Sequence, residues 1–178
     1  MSYELKTFFN LVKSDPDLQT RLFNTDKMSE VSDIANEYGY QILASDVLRT
    51  QAGRVILLPH EEQEILAAGG KPKTGAQWGR NGKGYLDHTG HWLNTFIAWR
   101  KIPPANEPTM EAFLEQVMED KEVAEQLEQK TCCNDVAKFA AQLGYTFDAV
   151  LLLKYMASQV LTLNEEQLMM LVKGSDHQ

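Results

Sequence analysis

LKTFFNLVKSDPDLQTRL, running from Leu5 to Leu22, and MEAFLEQVMEDKEVAEQL, running from Met110 to Leu127, are two versions of one pattern. Sliding the chain against itself by 105 residues superposes them, and the match continues without a gap for about forty positions. It pairs Phe8 with Phe113, Val12 with Val117, Asp15 with Asp120, Leu22 with Leu127, Val31 with Val136, Ala35 with Ala140, Gly39 with Gly144, Tyr40 with Tyr145 and Ala44 with Ala149. A shift of 104 then sets HEEQEILAAGG, from His60, against NEEQLMMLVKG, from Asn164. Self-similarity at a fixed offset marks a repeated structural unit. The chain is a tandem duplication around an insert that has no second copy.

Each unit reads as short helices. Leu5, Phe8, Phe9 and Val12 follow the spacing that gathers apolar groups on one helical face. Asp15 before Pro16 stops that helix and opens the next, because a carboxylate accepts bonds from the free N–H groups of a first turn and proline suits the first helical position. Val31, Ile34, Ala35 and Tyr38 make another helix, with Gly39 placed for the left-handed residue that closes it. Val136, Phe139, Ala140, Leu143 and Gly144 repeat the arrangement. Further helices are predicted near Ala44 to Gln51 and Pro59 to Ala68, and near Asp148 to Gln159 and Asn164 to Lys173, where Asn164 and Gln167 have capping-box spacing. Only Arg54 to Leu58 carries a local extended signal. The expected fold is all-α: two small units of about four short helices each, 1–70 and 109–178, joined by a Gly- and Trp-rich basic insert, 71–108, with one further helix.

The 178 residues, 43% hydrophobic and 24% charged, are enough for a real core. No run of about 18 apolar residues is available to span a bilayer, and the acidic start lacks the pattern of a signal peptide, so the expected location is the cytoplasm. The only cysteines, Cys132 and Cys133, are adjacent, a spacing that strains a disulfide ring; they read as small apolar side chains. A net charge of −8 argues against nucleic-acid affinity. That charge is uneven. From Ala67 to Asn106 six basic residues face one acid, so about +5 sits here and about −13 elsewhere.

The initial Phe-rich helix, Asp15-Pro16-Asp17-Leu18, an alanine four residues before Gly39-Tyr40, and a closing acidic helix ending in Gly69-Gly70 together resemble the Nif-eleven domain. The resemblance covers residues 3–70 well and 109–174 more loosely. It implies a small helical, non-catalytic recognition module, associated with nitrogen-fixation loci and also used as the leader of modified peptide precursors. It implies a larger protein partner, with nitrogenase or its assembly machinery the sharpest expectation, and no cofactor. As an alternative, Gly69-Gly70 occupies the place of a leader cut site, which would make the chain a leader-type precursor or a docking protein for a peptide-modifying enzyme. The residues after the doublet are short of the Cys, Ser and Thr typical of a core peptide, and only SDHQ comes after Gly174.

The insert decides little by motif. A phosphate loop fails because Gln77 stands where the first glycine is required and Gly84 where the hydroxyl is required. His88 and His91 suggest a metal-binding alternative, yet a zinc site needs three or four ligands and acids are nearly absent nearby. No nucleophile and base pair has sequence context, so no catalytic residue and no metal ligand is assigned. All three tryptophans, Trp78, Trp92 and Trp99, lie in the insert. Trp92, Phe96 and Trp99 share one helical face that ends before Pro103; packing as core between the repeats accounts for Trp92 and Phe96, and core and interface both stay open for the helix as a whole. Trp78, between Gln77 and Arg80 among glycines, has too few apolar neighbours to fold alone, and Trp and Arg dominate interface energetics when buried. The candidate partner-binding residues are Lys71, Lys73, Trp78, Arg80, Lys83, Tyr85, His88 and His91.

Overall fold

The computed structural model describes residues 3–72, 79, 88–99 and 107–176, with side chains as far as Gly174. Every regular element among them is a helix. The first repeat holds α1 (Tyr3–Ser14), α2 (Pro16–Phe23), α3 (Met28–Glu37), α4 (Ala44–Leu57) and α5 (His60–Ala67). The insert contributes α6 (Thr89–Ala98). The second repeat holds α7 (Pro108–Glu119), α8 (Lys121–Glu128), α9 (Cys133–Gln142), α10 (Ala149–Thr162) and α11 (Glu165–Asp176).

The repeated residues do the same local work twice. Asp15 accepts from Leu18 N at 3.1 Å, and Asp120 from Glu122 N at 3.1 Å and Val123 N at 3.3 Å, so each starts the second helix of its repeat. Such a cap contributes roughly 1 kcal/mol. Gly39 (φ +88°) and Gly144 (φ +96°) take the left-handed conformation after α3 and α9. The following Tyr40 and Tyr145 then return N–H bonds to Ala35 at 3.0 Å and Ala140 at 2.9 Å. Each tyrosine ring lands on the phenylalanine of the first helix: Phe8–Tyr40 centroids lie 5.6 Å apart and Phe113–Tyr145 6.0 Å. Asn164 and Gln167 form the reciprocal box at 3.1 and 2.9 Å that their spacing predicts.

Two expectations change. Arg54 to Leu57 continue α4 instead of extending, because Val55 is buried on the helix face and Gln63 from α5 donates to its carbonyl at 3.0 Å; packing overrides a weak local preference. The shift of 104 is a coincidence of similar residues. α5 begins at His60 and α11 at Glu165, so the offset of 105 persists to the end.

Within each repeat the first helix packs on the second and the third on the fourth, α1 on α2 and α3 on α4, then α7 on α8 and α9 on α10. The fourth helices, α4 and α10, pack against each other. The closing helices cross over: α5 lies on α10, while α11 lies on α4 and α3. Glu165, the first residue of α11, accepts from Arg49 of α4 at 2.8 Å and from the Ser45 hydroxyl. One apolar cluster therefore runs through both repeats, with Phe8, Leu22 and Val31 from one side and Phe113, Leu127 and Val136 from the other.

Candidate functional site

The insert leaves the body at a closed helix end. Gly69 (φ +86°) turns the chain after α5, and the Gly69 and Gly70 N–H groups bond back to Leu66 at 3.0 Å and Ile65 at 2.9 Å. The glycine doublet is thus a helix stop. Pro72 is buried, and the Lys71 ammonium lies 5.3 Å from the centre of the Phe23 ring at the end of α2. Gly79, buried and in the left-handed region (φ +67°), donates to Leu22 O at 2.8 Å. Lys73, Trp78, Arg80, Lys83 and Tyr85 lie outside the described residues.

The chain rejoins the body at His88, which precedes α6. Here the second repeat receives the insert at the matching place, since α2 and α8 are counterparts. Gly90 donates to Lys130 O at 2.8 Å, and a Cβ at this position would stand 1.8 Å from Leu127 O. Only glycine permits so close an approach. Leu22 and Leu127, the residues whose carbonyls meet Gly79 and Gly90, are themselves a repeat pair. The insert is thus pinned to the same helix end in both halves of the molecule.

α6 is held along α8 and α9. Its Trp92, Leu93 and Phe96 are buried, so Trp92 and Phe96 are core as their spacing predicts. Trp99 closes the helix, packed against Phe96 with centroids 6.5 Å apart. On the polar side Glu128 of α8 collects the His91 Nδ1 at 2.6 Å and the Asn94 amide at 2.7 Å, and Asn94 also donates to Ala124 O at 2.9 Å. Burial alone would raise the Glu128 carboxyl; the hydrogen bonds from Asn94 and His91 and the His91 charge outweigh it and hold the group low. A Cβ added to Gly174 of α11 would stand 3.1 Å from His91 Nε2, so that ring is bracketed by two helices.

Of the described candidates, Lys71 sits on the first repeat, whereas His88 and His91 sit at the second. His91 spends one ring nitrogen on Glu128. Among the described residues no group of three or more His, Cys, Asp or Glu is placed to share a metal ion. Cys133 is buried, which pushes its thiol up to about 12 despite a hydrogen bond from Thr89. Both cysteines are free thiols.

The Nif11 domain matches residues 1–47 and 107–152. The chain belongs to the Nif11 domain family. No curated protein and no solved structure matches it. The two Nif11 segments end inside α4 and α10, so the crossing helices α5 and α11, together with α6, lie beyond the family pattern. Nif11 membership marks a nitrogen-fixation-associated or leader-peptide-like family, and that family is not known for catalysis. Sequence reading missed the clasp of Glu128 on His91 and Asn94. Glu128 lies more than thirty residues from both of its partners, and no local pattern joins them.

Proposed function

We propose that this Nif11 protein is a non-enzymatic binding factor whose partner belongs to the nitrogen-fixation machinery, nitrogenase or a component of its assembly. The observation that carries the reading is the double pinning of the insert, at Gly79 on α2 and at Gly90 on α8. A spacer needs no such fixation. Holding the one unduplicated, basic and aromatic segment at two points along its length restricts its freedom before binding, which reduces the ordering cost of an interface. In this reading Trp78 and Arg80 are the anchors, with Tyr85 and His88 beside them. Lys71, Lys73 and Lys83 steer the loop toward an acidic surface, while His91 orients α6. Binding is stoichiometric and protects, stabilises or helps mature the partner.

The test is a native pull-down with the full chain from nitrogen-fixing and nitrogen-replete cells. Recovery of nitrogenase or an assembly component only in the fixing cells is the expected outcome; equal, partnerless recovery in both refutes it. Family membership also favours a second reading, docking to a peptide-modifying enzyme as a leader does. Mass spectrometry of the protein from its host separates the two, since a species cut after Gly70 requires the leader reading.

A further inference from the structure

α5 and α11 are counterparts at the offset of 105, yet they are fastened differently. Glu165, which opens α11, reaches the other repeat: it accepts from Arg49 of α4 at 2.8 Å and from the Ser45 hydroxyl. The matching residues on the α5 side are His60, Lys154 and Val150, two bases and an apolar side chain that cannot rebuild this clasp. His60 instead lies 2.9 Å from Glu64 in its own helix. Gln63 stands where α11 has Leu168, and its amide donates to Val55 O at 3.0 Å and Ile56 O at 3.4 Å, at the end of α4 in its own repeat.

The apolar hold differs in the same direction. α11 buries Leu168, Leu171 and Val172, whereas α5 has Gln63, Leu66 and Ala67 at those places. The half-buried Ile65 turns toward the end of α5, since a Cβ on Gly70 would stand 2.8 Å from its Cγ2. α5 stops at Ala67 while α11 runs through Gly174 to Asp176. Beyond α5 the left-handed Gly69 meets the second repeat at Cys132, where a Cβ on the glycine would lie 3.6 Å from the Cys132 Cβ. Local opening starts at elements that bury few apolar groups.

We propose that α5 is a releasable strap: it lifts from α10 while α4 stays packed on α10 and α11 stays packed on α4. Gly69 and Gly70 follow α5 directly, so release frees the entry of the insert and lets it move against a partner without parting the repeats. What the release serves rests on the proposed binding function. The release itself is a property of the free chain.

Amide hydrogen exchange of the full chain at increasing, sub-denaturing urea tests it. The slowest amides of α5 should exchange at least about thirtyfold faster than the slowest of α11, which corresponds to about 2 kcal/mol of missing apolar burial. Their rates should barely change with urea, while those of α4, α10 and α11 climb together, because a local opening exposes little surface. Equal protection of α5 and α11, or α5 rates that climb in step with the others, overturns the proposal. Gly69→Cys supplies a lock, since the 3.6 Å separation falls within the roughly 3.5–4.5 Å between the Cβ atoms of a disulfide. Cross-linked to Cys132, with the bond confirmed by mass, this variant should exchange its α5 amides about tenfold or more slowly, and dithiothreitol should restore the rate. Fast α5 exchange that persists in the cross-linked chain also overturns the strap. Where the cross-link does not form, exchange in the parent chain decides. The native pull-down reads partner capture and the exchange reads the free chain, so failure of one is distinguishable from failure of the other.

Discussion

Gly90→Ala tests how the insert is held. A Cβ at Gly90 would lie 1.8 Å from Leu127 O and 2.9 Å from Lys130 O, both backbone atoms inside the second repeat. Real Cβ contacts need about 3.4 Å, so α6 must retreat by more than an ångström or α8 must open. Retreat breaks the 2.8 Å bond from Gly90 N to Lys130 O, and leaving such a group unpaired costs about 1–3 kcal/mol. It also loosens Trp92, Leu93 and Phe96, all buried, each worth about 1.5–3 kcal/mol when fully buried. Partial loss of that packing brings the expected cost to roughly 3 kcal/mol, or about 6–12 °C in Tm for a chain of this size. Gly53→Ala is the internal control, since no described atom stands within 4 Å of its Cβ. In the interior of α4, alanine should stabilise by roughly 0.5–1 kcal/mol. Urea and thermal unfolding followed by circular dichroism give both numbers. If Gly90→Ala melts within about 0.5 kcal/mol of the parent, α6 is not seated on α8 and the insert is not pinned there.

A Trp78→Ala, Arg80→Ala double change should sharply reduce capture of the partner while leaving helical content and melting as they were; a loss of folding would make the loop structural. Because the Glu128 carboxyl is held low, its contribution is fully present above the ordinary carboxylate range, about 4.3, and fades as pH falls through the lowered value. The urea midpoints of the parent and Glu128→Gln should therefore differ above about pH 4.3 and converge as the pH falls through the lowered value, and a constant gap would contradict the clasp. Tyr155 of α10 has its hydroxyl buried with no hydrogen-bond partner among the described residues. Burial, then the Glu111 charge, raises it to about 12. Tyr155→Phe should be neutral or stabilising by up to about 1 kcal/mol, and a clear destabilisation would reveal a missed partner.

Much of the fold is written in short-range pattern. Asp15 and Asp120, Gly39 and Gly144, and the Asn164–Gln167 box all act within four or five residues of themselves, so spacing alone places the helix boundaries. The seating of Trp92 and Phe96 also follows from their period. The insert's role is less legible. Composition singles out Trp78 and Arg80, but nothing near His91 hints that Glu128 will claim it, and nothing near Gly90 announces Leu127.

Helix content, the duplication and Nif11 membership are therefore properties of the chain read in one dimension, because backbone hydrogen bonding, capping and amphipathic period are satisfied locally. Which faces meet is not. Glu165 finds Ser45 across 120 residues, and α5 and α11 each close over the opposite repeat. Those choices depend on matching shapes and paired polar groups that come together only once the helices exist.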